Sequence, residues 1–296
     1  KANQRKILTE NSFKHPEKWE VFENQESLEK AMDEFKFPII IKPTESSGSR
    51  GVSKVFSLND KNFKYAIENA FNFAQNNEVI VETYMNGYEC TVESFTVKGE
   101  THILAVTEKK KVENSNGLIA SELGTFNRDI KTYNKICQLI KKAIRVLNYN
   151  NGPCHSEVIV MKDGNIGIVE IGARGGGFLV FNKFVPLVSG IDITKLTIQQ
   201  STGGVFTLGK IKNIVGILKF ILPKKGKIKS IKGFDNLNKV CGLEGETFVK
   251  ENEVVSSVSS DGDRLGYIIA IGKTYNEAKN LIETNQSLVK FDYYDY

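Results

Sequence analysis

The chain has 296 residues, of which 40% are hydrophobic and 25% are charged. This composition is typical of a globular protein with two or three packed units, and it excludes a disordered or fibrous chain. The 40 Lys and Arg residues exceed the 35 Asp and Glu residues by only five, and they are spread along the whole length. A charge this small and dispersed argues against nucleic-acid binding, so the basic runs at 109–111 and 224–229 are interpreted as solvated surface.

The cysteines do not form a recognisable pattern. Cys90, Cys137, Cys154 and Cys241 include no CxxC pair and have no histidines at zinc-ligand spacing. A reduced protein is the simplest interpretation. No apolar stretch approaches the roughly 20 residues that a membrane helix needs. We therefore expect a cytoplasmic protein with no membrane segment.

The first part of the chain has the pattern of a small unit of helices and strands. Residues 27–35 and 59–75 have the apolar spacing of helices. Residues 39–41, 53–56 and 79–81 are short apolar runs typical of buried strands. The sequence therefore predicts an N-terminal unit that contains both element types.

Further along, the sequence predicts a larger sheet covered by helices. Hairpins at 89–106 and 155–171 are separated by a helix with a single apolar stripe. The stripe consists of Ile130, Tyr133, Ile136, Ile140, Ile144 and Leu147. From about residue 210 the pattern changes to short strands, including 214–222 and 265–272, and it ends with an amphipathic helix from Tyr275 to about Thr284. We interpret this last region as a smaller α+β unit.

A loop of small polar residues follows the strand at 39–41. The loop contains Ser46, Ser47, Gly48, Ser49, Gly51 and Val52. Glycines let a backbone approach a phosphate closely, and successive amides and Ser hydroxyls can donate to its oxygens. Because a strand follows instead of a helix, neither the P-loop nor the dinucleotide pattern is satisfied. Lys42 at the strand end would supply positive charge to the phosphates, and the alternative is an ordinary flexible hairpin loop.

Two glutamates are predicted to face each other across a hairpin. Asp163-Gly164 is typical of a two-residue turn in which Lys162 faces Asn165. That register places Glu157 opposite Glu170, with Cβ atoms roughly 5 Å apart. Two such carboxylates repel unless a cation lies between them, and their oxygens suit Mg²⁺ carried with nucleotide phosphates. The alternative is two exposed glutamates on a wet face.

Alternation along the same strand continues this face to Arg174. Three glycines at 175–177 follow it and leave room for a ligand. An arginine there can bind a phosphate or a substrate carboxylate through two hydrogen bonds. As the alternative, Arg174 pairs with one of the two glutamates.

Four segments carry a resemblance to a known family. They are FPIIIKPTESSGSRGV, VIVETYMNGYE, SEVIVMKDGNIGIVEIGARGGGF and DRLGYIIAIGKTYNEA. In this order, and over nearly the whole chain, they resemble the ATP-grasp superfamily. The resemblance implies an α+β fold in which two α+β subdomains, 1–85 and 86–209, grip ATP. A small C-terminal α+β unit at 210–296 completes the predicted organisation.

The resemblance also implies roles for individual residues. Lys42 and Lys1 match the two lysines on the phosphates, and the loop from Ser46 to Val52 matches the phosphate lid. The adenine hinge maps to Glu82, Tyr84 and Met85, the ribose acid to Glu89, and the metal-binding acids to Glu157 and Glu170. Lys42 and Arg174 are the predicted catalytic residues. Gly172 stands where the family usually has Asn, which leaves the coordination of a second metal ion open.

The segment EIGARGGGF and the C-terminal unit are most similar to amino-acid and dipeptide ligases and their carboxylase-like relatives. The implied reaction is transfer of the ATP γ-phosphate to a carboxylate, followed by attack of an amine on the acyl phosphate. The implied partners are ATP, Mg²⁺ (with Mn²⁺ as the alternative metal), a small-molecule carboxylate and an amine, with a homodimer as the candidate assembly. The alternatives are a bicarbonate-activating or carbamoyl-phosphate-type enzyme, and a nucleotide-binding module without catalysis.

Members of the family normally carry a further domain, on the order of 100 residues, before the lysine matched by Lys1. We therefore expect the chain to be a fragment with an incomplete substrate site, in which Lys1 is poorly held because a terminus frays. Loops that include residues 107–125 are expected to build the substrate pocket. The loop at 46–51 is expected to be mobile until nucleotide binds.

Overall fold

The computed structural model describes residues 1–112, 119–258 and 261–294. Its strands form a four-stranded, an eight-stranded and a three-stranded sheet, which we call the first, second and third sheets. All of the strand pairs are antiparallel, and helices cover the sheets. The predicted α+β class is therefore confirmed. None of the described helices is long and apolar enough to cross a membrane.

The bounds of the elements follow the chain order. The strands are β1 (Trp19–Phe22), β2 (Ile39–Pro43), β3 (Ser53–Val55), β4 (Val79–Thr83), β5 (Gly87–Val97), β6 (Glu100–Lys111), β7 (Ala120–Thr125), β8 (Gly152–Met161), β9 (Ile166–Gly172), β10 (Val215–Ile221), β11 (Gly226–Lys232), β12 (Leu243–Thr247), β13 (Val254–Val255), β14 (Gly266–Gly272) and β15 (Lys290–Tyr293). The helices are α1 (Ala2–Glu10), α2 (Gln25–Ala31), α3 (Phe63–Phe73), α4 (Ile130–Val146), α5 (Val185–Ser189), α6 (Ile193–Ser201), α7 (Phe234–Leu237) and α8 (Tyr275–Asn285), with a π-helical turn at Val180–Phe184 before α5.

The first sheet has the strand order β1-β4-β2-β3. Because side chains alternate along a strand, Ile39 and Ile41 point to the same face of β2, where they pack in a buried core with Leu28 of α2 and Ile67 of α3. Ile40, on the opposite face of β2, lines a large cavity. The side chain of Asn24 accepts a hydrogen bond from the backbone N–H of Ser27 and so fixes the start of α2.

The second sheet has the strand order β12-β14-β10-β7-β6-β5-β8-β9. Helix α4 packs on one face through Ile136, Ile140 and Ile144, as the stripe predicts, whereas Ile130 at the first turn is 70% exposed. Helix α1 contributes Leu8 to the same core. The helix that precedes the first sheet is therefore packed against the second.

The strands of the last third of the chain are divided between two sheets. Its strands β10, β14 and β12 continue the second sheet beyond β7, and only β13, β11 and β15 form the separate third sheet. Leu218 of β10 pairs with Leu123 of β7 in this extension. The boundary at 209/210, like the one at 85/86, stays a prediction.

The hairpin of β8 and β9 differs from its predicted register near the turn. Its loop has three residues, Lys162 to Gly164, because Met161 N–H donates to the Asn165 carbonyl at 2.8 Å. Gly164 has φ of +80°, the left-handed conformation that this type of loop needs. The predicted two-residue turn is therefore wrong.

A bulge in β9 restores the predicted register at the glutamates. Val158 pairs with Ile168, but the next pair is Glu157 with Glu170, so Val169 is an extra residue in β9. The two one-residue shifts cancel. The predicted pairing of Glu157 with Glu170 is thus confirmed, although the turn was not.

Candidate active site

A cavity of about 1120 Å³ lies between the first and second sheets. Most of the predicted site residues line it together, although they are far apart in sequence. They are Lys1, Lys42, Ser46, Ser47, Gly48, Ser49, Val52, Glu82, Tyr84, Met85, Glu89, Glu157, Glu170 and Arg174. Gly51 is absent from the lining. A Cβ atom at Gly51 would lie 2.8 Å from the Pro43 ring and 2.9 Å from Cβ of Phe73, so this glycine is required by packing behind the loop.

Gly48 and Gly51 can be compared to test whether Gly51 is required by packing. Both have positive φ, +64° and +73°, but a Cβ atom at Gly48 would meet no atom within 4 Å. We expect Gly51→Ala to lower the free energy of unfolding by about 2–4 kcal/mol and Gly48→Ala by about 1 kcal/mol, because only the first adds a clash to the backbone strain. Chemical denaturation of both variants measures this. Equal losses would contradict the packing role of Gly51.

Lys42 and Glu82 form a buried ion pair at the cavity wall. Lys42 Nζ lies 2.6 Å from Glu82 Oε2, and Arg5 Nε donates to Glu82 Oε1 at 2.8 Å. Burial by itself raises the pKa of Glu82, but Lys42 and Arg5 outweigh burial and hold this pKa below its usual value. Because both carboxylate oxygens are engaged, the Glu82 side chain supports Lys42.

Lys1 is firmly held at the same end of the cavity. Its Nζ donates to the Ser46 carbonyl at 2.6 Å and lies 3.5 Å from Glu170 Oε2, and its backbone nitrogen donates to the Thr44 carbonyl at 3.2 Å. The expectation that Lys1 is poorly held is therefore wrong. Lys1 connects the predicted phosphate loop with one of the two facing glutamates.

Lys109 and Lys111 belong to the cavity rather than to the surface. Lys109 Nζ contacts Glu89 Oε1 and lies 2.7 Å from Glu157 Oε1, and Lys111 Nζ lies 2.7 Å from Glu89 Oε2. Alternation along β6 sends Lys110 to the other face, where it pairs with Glu122. The interpretation of this run as solvated surface is thus wrong for two of its three lysines.

Glu157 lies at the centre of a partly buried charge cluster. Burial raises the pKa of Glu157, but Lys109 and His155 lower it by more than burial raises it. The pKa of Glu157 therefore lies well below its usual value. His155 Nε2 is 3.6 Å from Glu157 Oε1, and its Nδ1 contacts Glu93. Although burial lowers the pKa of His155, Glu93 and Glu157 raise it to about 10. The facing carboxylates are therefore already balanced by protein cations.

This balance changes the argument for a metal ion. Repulsion between Glu157 and Glu170 alone does not require a metal, because Lys109 and Lys1 each neutralise one of them. Over the described residues, no group of three or more His, Cys, Asp or Glu side chains could hold a metal ion. The two facing carboxylates still fit a Mg²⁺ ion whose other ligands are phosphate oxygens, since Mg²⁺ is usually held by one or two carboxylates plus substrate phosphates.

Arg174 and Gly172 lie beside the two glutamates. Arg174 donates to the Gly175 carbonyl at 2.8 Å, and among the described residues it forms no ion pair with Glu157 or Glu170. The side chain is thus available to a ligand. A Cβ atom at Gly172 would make only ordinary contacts, 3.4 Å from Cγ of Arg174, so the glycine is not required by packing.

The cavity has two further walls that the sequence did not reveal. Near Tyr84, Lys54 Nζ lies 3.5 Å from the Tyr84 ring centre and 4.8 Å from that of Phe56. At another wall, the Arg264 guanidinium lies 3.6 Å from the Phe220 ring centre and 4.5 Å from that of Phe178. Aromatic walls of this kind suit flat or apolar parts of ligands.

The predicted substrate segment 107–125 consists largely of strands β6 and β7 rather than of a loop. Ala120 and Leu123 of this segment line the cavity beside Arg264. Residues 113–118 lie outside the described part of the chain, so this part of the expectation stays a prediction.

Cys154 and Ser156, the neighbours of His155 in sequence, are not placed to act as nucleophiles. Cys154 and Ser156 are buried and point away from the face that carries His155. Burial raises the pKa of Cys154 to about 11 and that of Cys90 to about 12, which disfavours their thiolates.

Comparison with known proteins agrees with this arrangement. An ATP-grasp domain model matches residues 35–181, and an L-amino acid ligase C-terminal domain 2 model matches residues 219–294. D-alanine–D-alanine ligase of Flavobacterium psychrophilum is 42% identical over 71 residues, which are 24% of this chain and 20% of that protein. Phosphoribosylamine–glycine ligase of Pyrococcus horikoshii is 22% identical over 98% of this chain and 69% of its own length.

The fold has a similar counterpart among solved structures. L-amino acid ligase from Bacillus licheniformis superposes with a TM-score of 0.82 at 19% identity, covering 100% of this chain and 72% of that one. The two family models together span most of the chain, in the order that the sequence motifs predict. The chain belongs to the ATP-grasp superfamily.

Proposed function

We propose that this chain is the nucleotide-binding and catalytic part of an ATP-dependent carboxylate–amine ligase. The observation that carries the proposal is the single cavity lined by Lys42 of the first sheet and by Glu157, Glu170 and Arg174 of the β8–β9 region. A cationic wall opposite two facing carboxylates suits a nucleotide triphosphate with its metal ion. The ATP-grasp domain match over residues 35–181 supports the same class.

Each residue has a definite task in this proposal. Lys1 and Lys42 bind phosphate oxygens, and the backbone amides of residues 46–49 orient them. Glu157 and Glu170 would hold Mg²⁺ or Mn²⁺, which supplies neutralisation of the phosphate charge when bound. Arg174 orients the carboxylate that accepts the γ-phosphate, and the cavity walls exclude water from the acyl phosphate until an amine attacks.

The nature of the substrates is proposed from the relatives. Their names describe ligases of amino acids, D-alanine and glycine, so an amino acid is the proposed carboxylate. The aromatic wall at Phe178 and Phe220 supports a substrate with an apolar part. This chain spans 20% of the first relative and 69% of the second, and the whole protein's activity is therefore proposed as well.

The direct test is release of ADP and phosphate by the full-length protein with Mg²⁺-ATP and a set of carboxylates and amines. The proposal expects release that needs one amino acid and one amine together, with an amide product found by mass spectrometry. Release that depends on bicarbonate would support the carboxylase alternative. Tight MgADP binding without turnover on any acid would support a module without catalysis.

Lys42→Ala tests the phosphate end of the cavity. Because Lys42 is buried in a pair with Glu82, we expect the variant to lose about 1–3 kcal/mol of unfolding free energy, with Arg5 retaining one Glu82 oxygen. MgADP affinity should fall by about 10-fold or more, since a charge-assisted contact to phosphate is lost. Calorimetric titration well below the melting temperature measures this.

Lys18→Met is the matched control, because Lys18 has an exposed ion pair with Glu34. It should leave MgADP affinity and stability near their native values. If Lys42→Ala binds MgADP as tightly as the control does, Lys42 is not a phosphate ligand.

A further inference from the structure

Arg5 contacts both sheets from helix α1. Arg5 is 5% exposed, and its guanidinium donates to four acceptors, one of which is the His15 carbonyl at 3.4 Å. Nε donates to Glu82 Oε1 at 2.8 Å, Nη1 to the Ile168 carbonyl at 2.8 Å and Nη2 to the Val169 carbonyl at 3.1 Å. Glu82 lies in β4 of the first sheet, and the two carbonyls lie in β9 of the second. One guanidinium therefore joins the two walls of the cavity.

The contact with β9 falls on the bulge described above. β9 is the edge strand of the second sheet, so its outer carbonyls have no strand partner there. A bulge is stable when other groups satisfy the backbone atoms that leave the ladder. Arg5 satisfies two carbonyls at and beside the extra residue, Val169. Because Glu170 follows Val169 directly, Arg5 holds the backbone conformation that turns Glu170 toward Glu157.

The contact with Glu82 extends to Lys42. Arg5 engages Oε1 of Glu82, and Lys42 Nζ lies 2.6 Å from Oε2 of the same carboxylate. A carboxylate fixed at both oxygens has little freedom to rotate. The position of the Lys42 ammonium is thus determined in part by Arg5, which Lys42 does not touch directly.

We propose that Arg5 is a positioning residue that sets the Lys42 ammonium and the Glu170 carboxylate relative to each other. It acts through Glu82 on one side and through the β9 bulge on the other. The link between the sheets is a property of the chain itself, whereas its consequence for Mg²⁺-nucleotide binding rests on the proposed function. A bound nucleotide would then meet a phosphate lysine and a metal acid already at the required separation.

Arginine is suited to this task in a way that lysine is not. A guanidinium is planar and presents five donors in a fixed geometry, whereas an ammonium is a point charge on a flexible stem. A lysine at position 5 could keep the pair with Glu82 but could not also reach both carbonyls of the bulge. Arg5→Lys should therefore keep the positive charge beside Glu82 but lose the hydrogen bonds that hold the β9 bulge.

The experiment compares Arg5→Met, Arg5→Lys and Gln4→Met in MgADP titrations and in thermal unfolding. Gln4 is the matched control, because it binds the same edge strand through the Ile171 N–H and carbonyl but does not contact Glu82. All three variants should lose stability. We expect MgADP affinity to fall by about 10-fold or more in Arg5→Met, less in Arg5→Lys, and by no more than about twofold in Gln4→Met.

Coupling is measured by combining Arg5→Met with Lys42→Met. If Arg5 acts through Glu82, the MgADP affinity of the double variant should be little lower than that of the single variant with the lower affinity. The reason is that both changes disrupt the same Arg5–Glu82–Lys42 contacts. Losses of affinity that simply add would overturn the proposal. Equal losses in Arg5→Met and Gln4→Met would also overturn it, since they would show that contact with the edge strand alone is sufficient and that the link to Glu82 contributes nothing.

A native chain that binds no MgADP would refute the proposed function but not the link between the sheets. Amide hydrogen exchange, measured without nucleotide, then tests the link between the sheets. Faster exchange of the amides at 168–172 in Glu82→Gln than in the native chain would support the link, because the change lies in the other sheet. Unchanged exchange there would overturn it.

Discussion

Replacing Glu170 by Gln is expected to reduce turnover by about 100-fold or more, because loss of even an outer partner of a metal ligand costs about 10–100-fold. The fold should be nearly unaffected. The Glu170 side chain is 36% exposed, and its described ion pair, with Lys1 Nζ, is 3.5 Å long. A pair of this kind contributes about 0–1 kcal/mol to stability. The measurement is the Mg²⁺ dependence of ADP release together with the melting temperature.

Glu26→Gln provides the control for this change. Glu26 has an exposed pair with Lys30 on helix α2, far from the cavity lining, and its replacement should alter neither property. Near-normal turnover of Glu170→Gln at low Mg²⁺ would show that Glu170 is not a metal ligand. Glu157→Gln is a less clean probe, because Glu157 is bound to Lys109 and its change would also disturb the buried charges.

Lys109→Met is expected to have the largest effect on stability, lowering the free energy of unfolding by about 3–5 kcal/mol. Lys109 contacts Glu89 and Glu157 at once, and its side chain is 11% exposed. Burial lowers its pKa, but the two carboxylates outweigh burial and raise the pKa above its usual value, so the side chain is charged. Without it, the buried Glu89 and the partly buried Glu157 lose their shared cation. Chemical denaturation measures the loss.

Lys110→Met is the control from the adjacent position. Lys110 points to the other face of β6, and its side chain is 47% exposed, so its loss should cost less than about 1 kcal/mol. Adding Glu157→Gln to Lys109→Met should restore part of the stability, since it removes one uncompensated charge. A Lys109→Met protein as stable as the Lys110 variant would contradict the buried cluster.

Short-range patterns allowed much of the first sheet to be predicted. The strands at 39–41 and 79–81 and the helix at 59–75 were close to their observed bounds, because apolar alternation and helical spacing are local properties. The stripe on α4 was correct for the same reason, except at Ile130, where the first turn extends past the core.

The facing glutamates were predicted correctly for a partly incorrect reason. The Asp163-Gly164 dipeptide indicated a two-residue turn, but the loop includes Lys162 as well. The extra residue at Val169 then cancelled the shift. A bulge held by a distant side chain, here Arg5, cannot be read from the strand that contains it.

Long-range contacts account for what the sequence did not reveal. Lys109 was taken as surface because a run of three lysines is usually solvated. Its cavity role depends on the pairing of β6 with β5, whose register shifts at an extra residue of β6, Leu104, opposite Glu93 and Ser94. The joining of β10, β14 and β12 to the second sheet is likewise a pairing between distant segments. Neither follows from composition or periodicity.

The strand order of the second sheet has a consequence for how the chain folds as it leaves the ribosome. The sheet grows from the middle outward: β5, β6 and β7 emerge first, β8 and β9 join at one side, and β10, β14 and β12 join at the other. The edge of β7, together with Leu104 and Leu123 of the core beneath it, therefore stays uncovered until Val215–Ile221 have been synthesised. An open edge over apolar side chains is a site for pairing with foreign strands. The risk of such mispairing is greatest during this interval, and it ends when β10 pairs with β7.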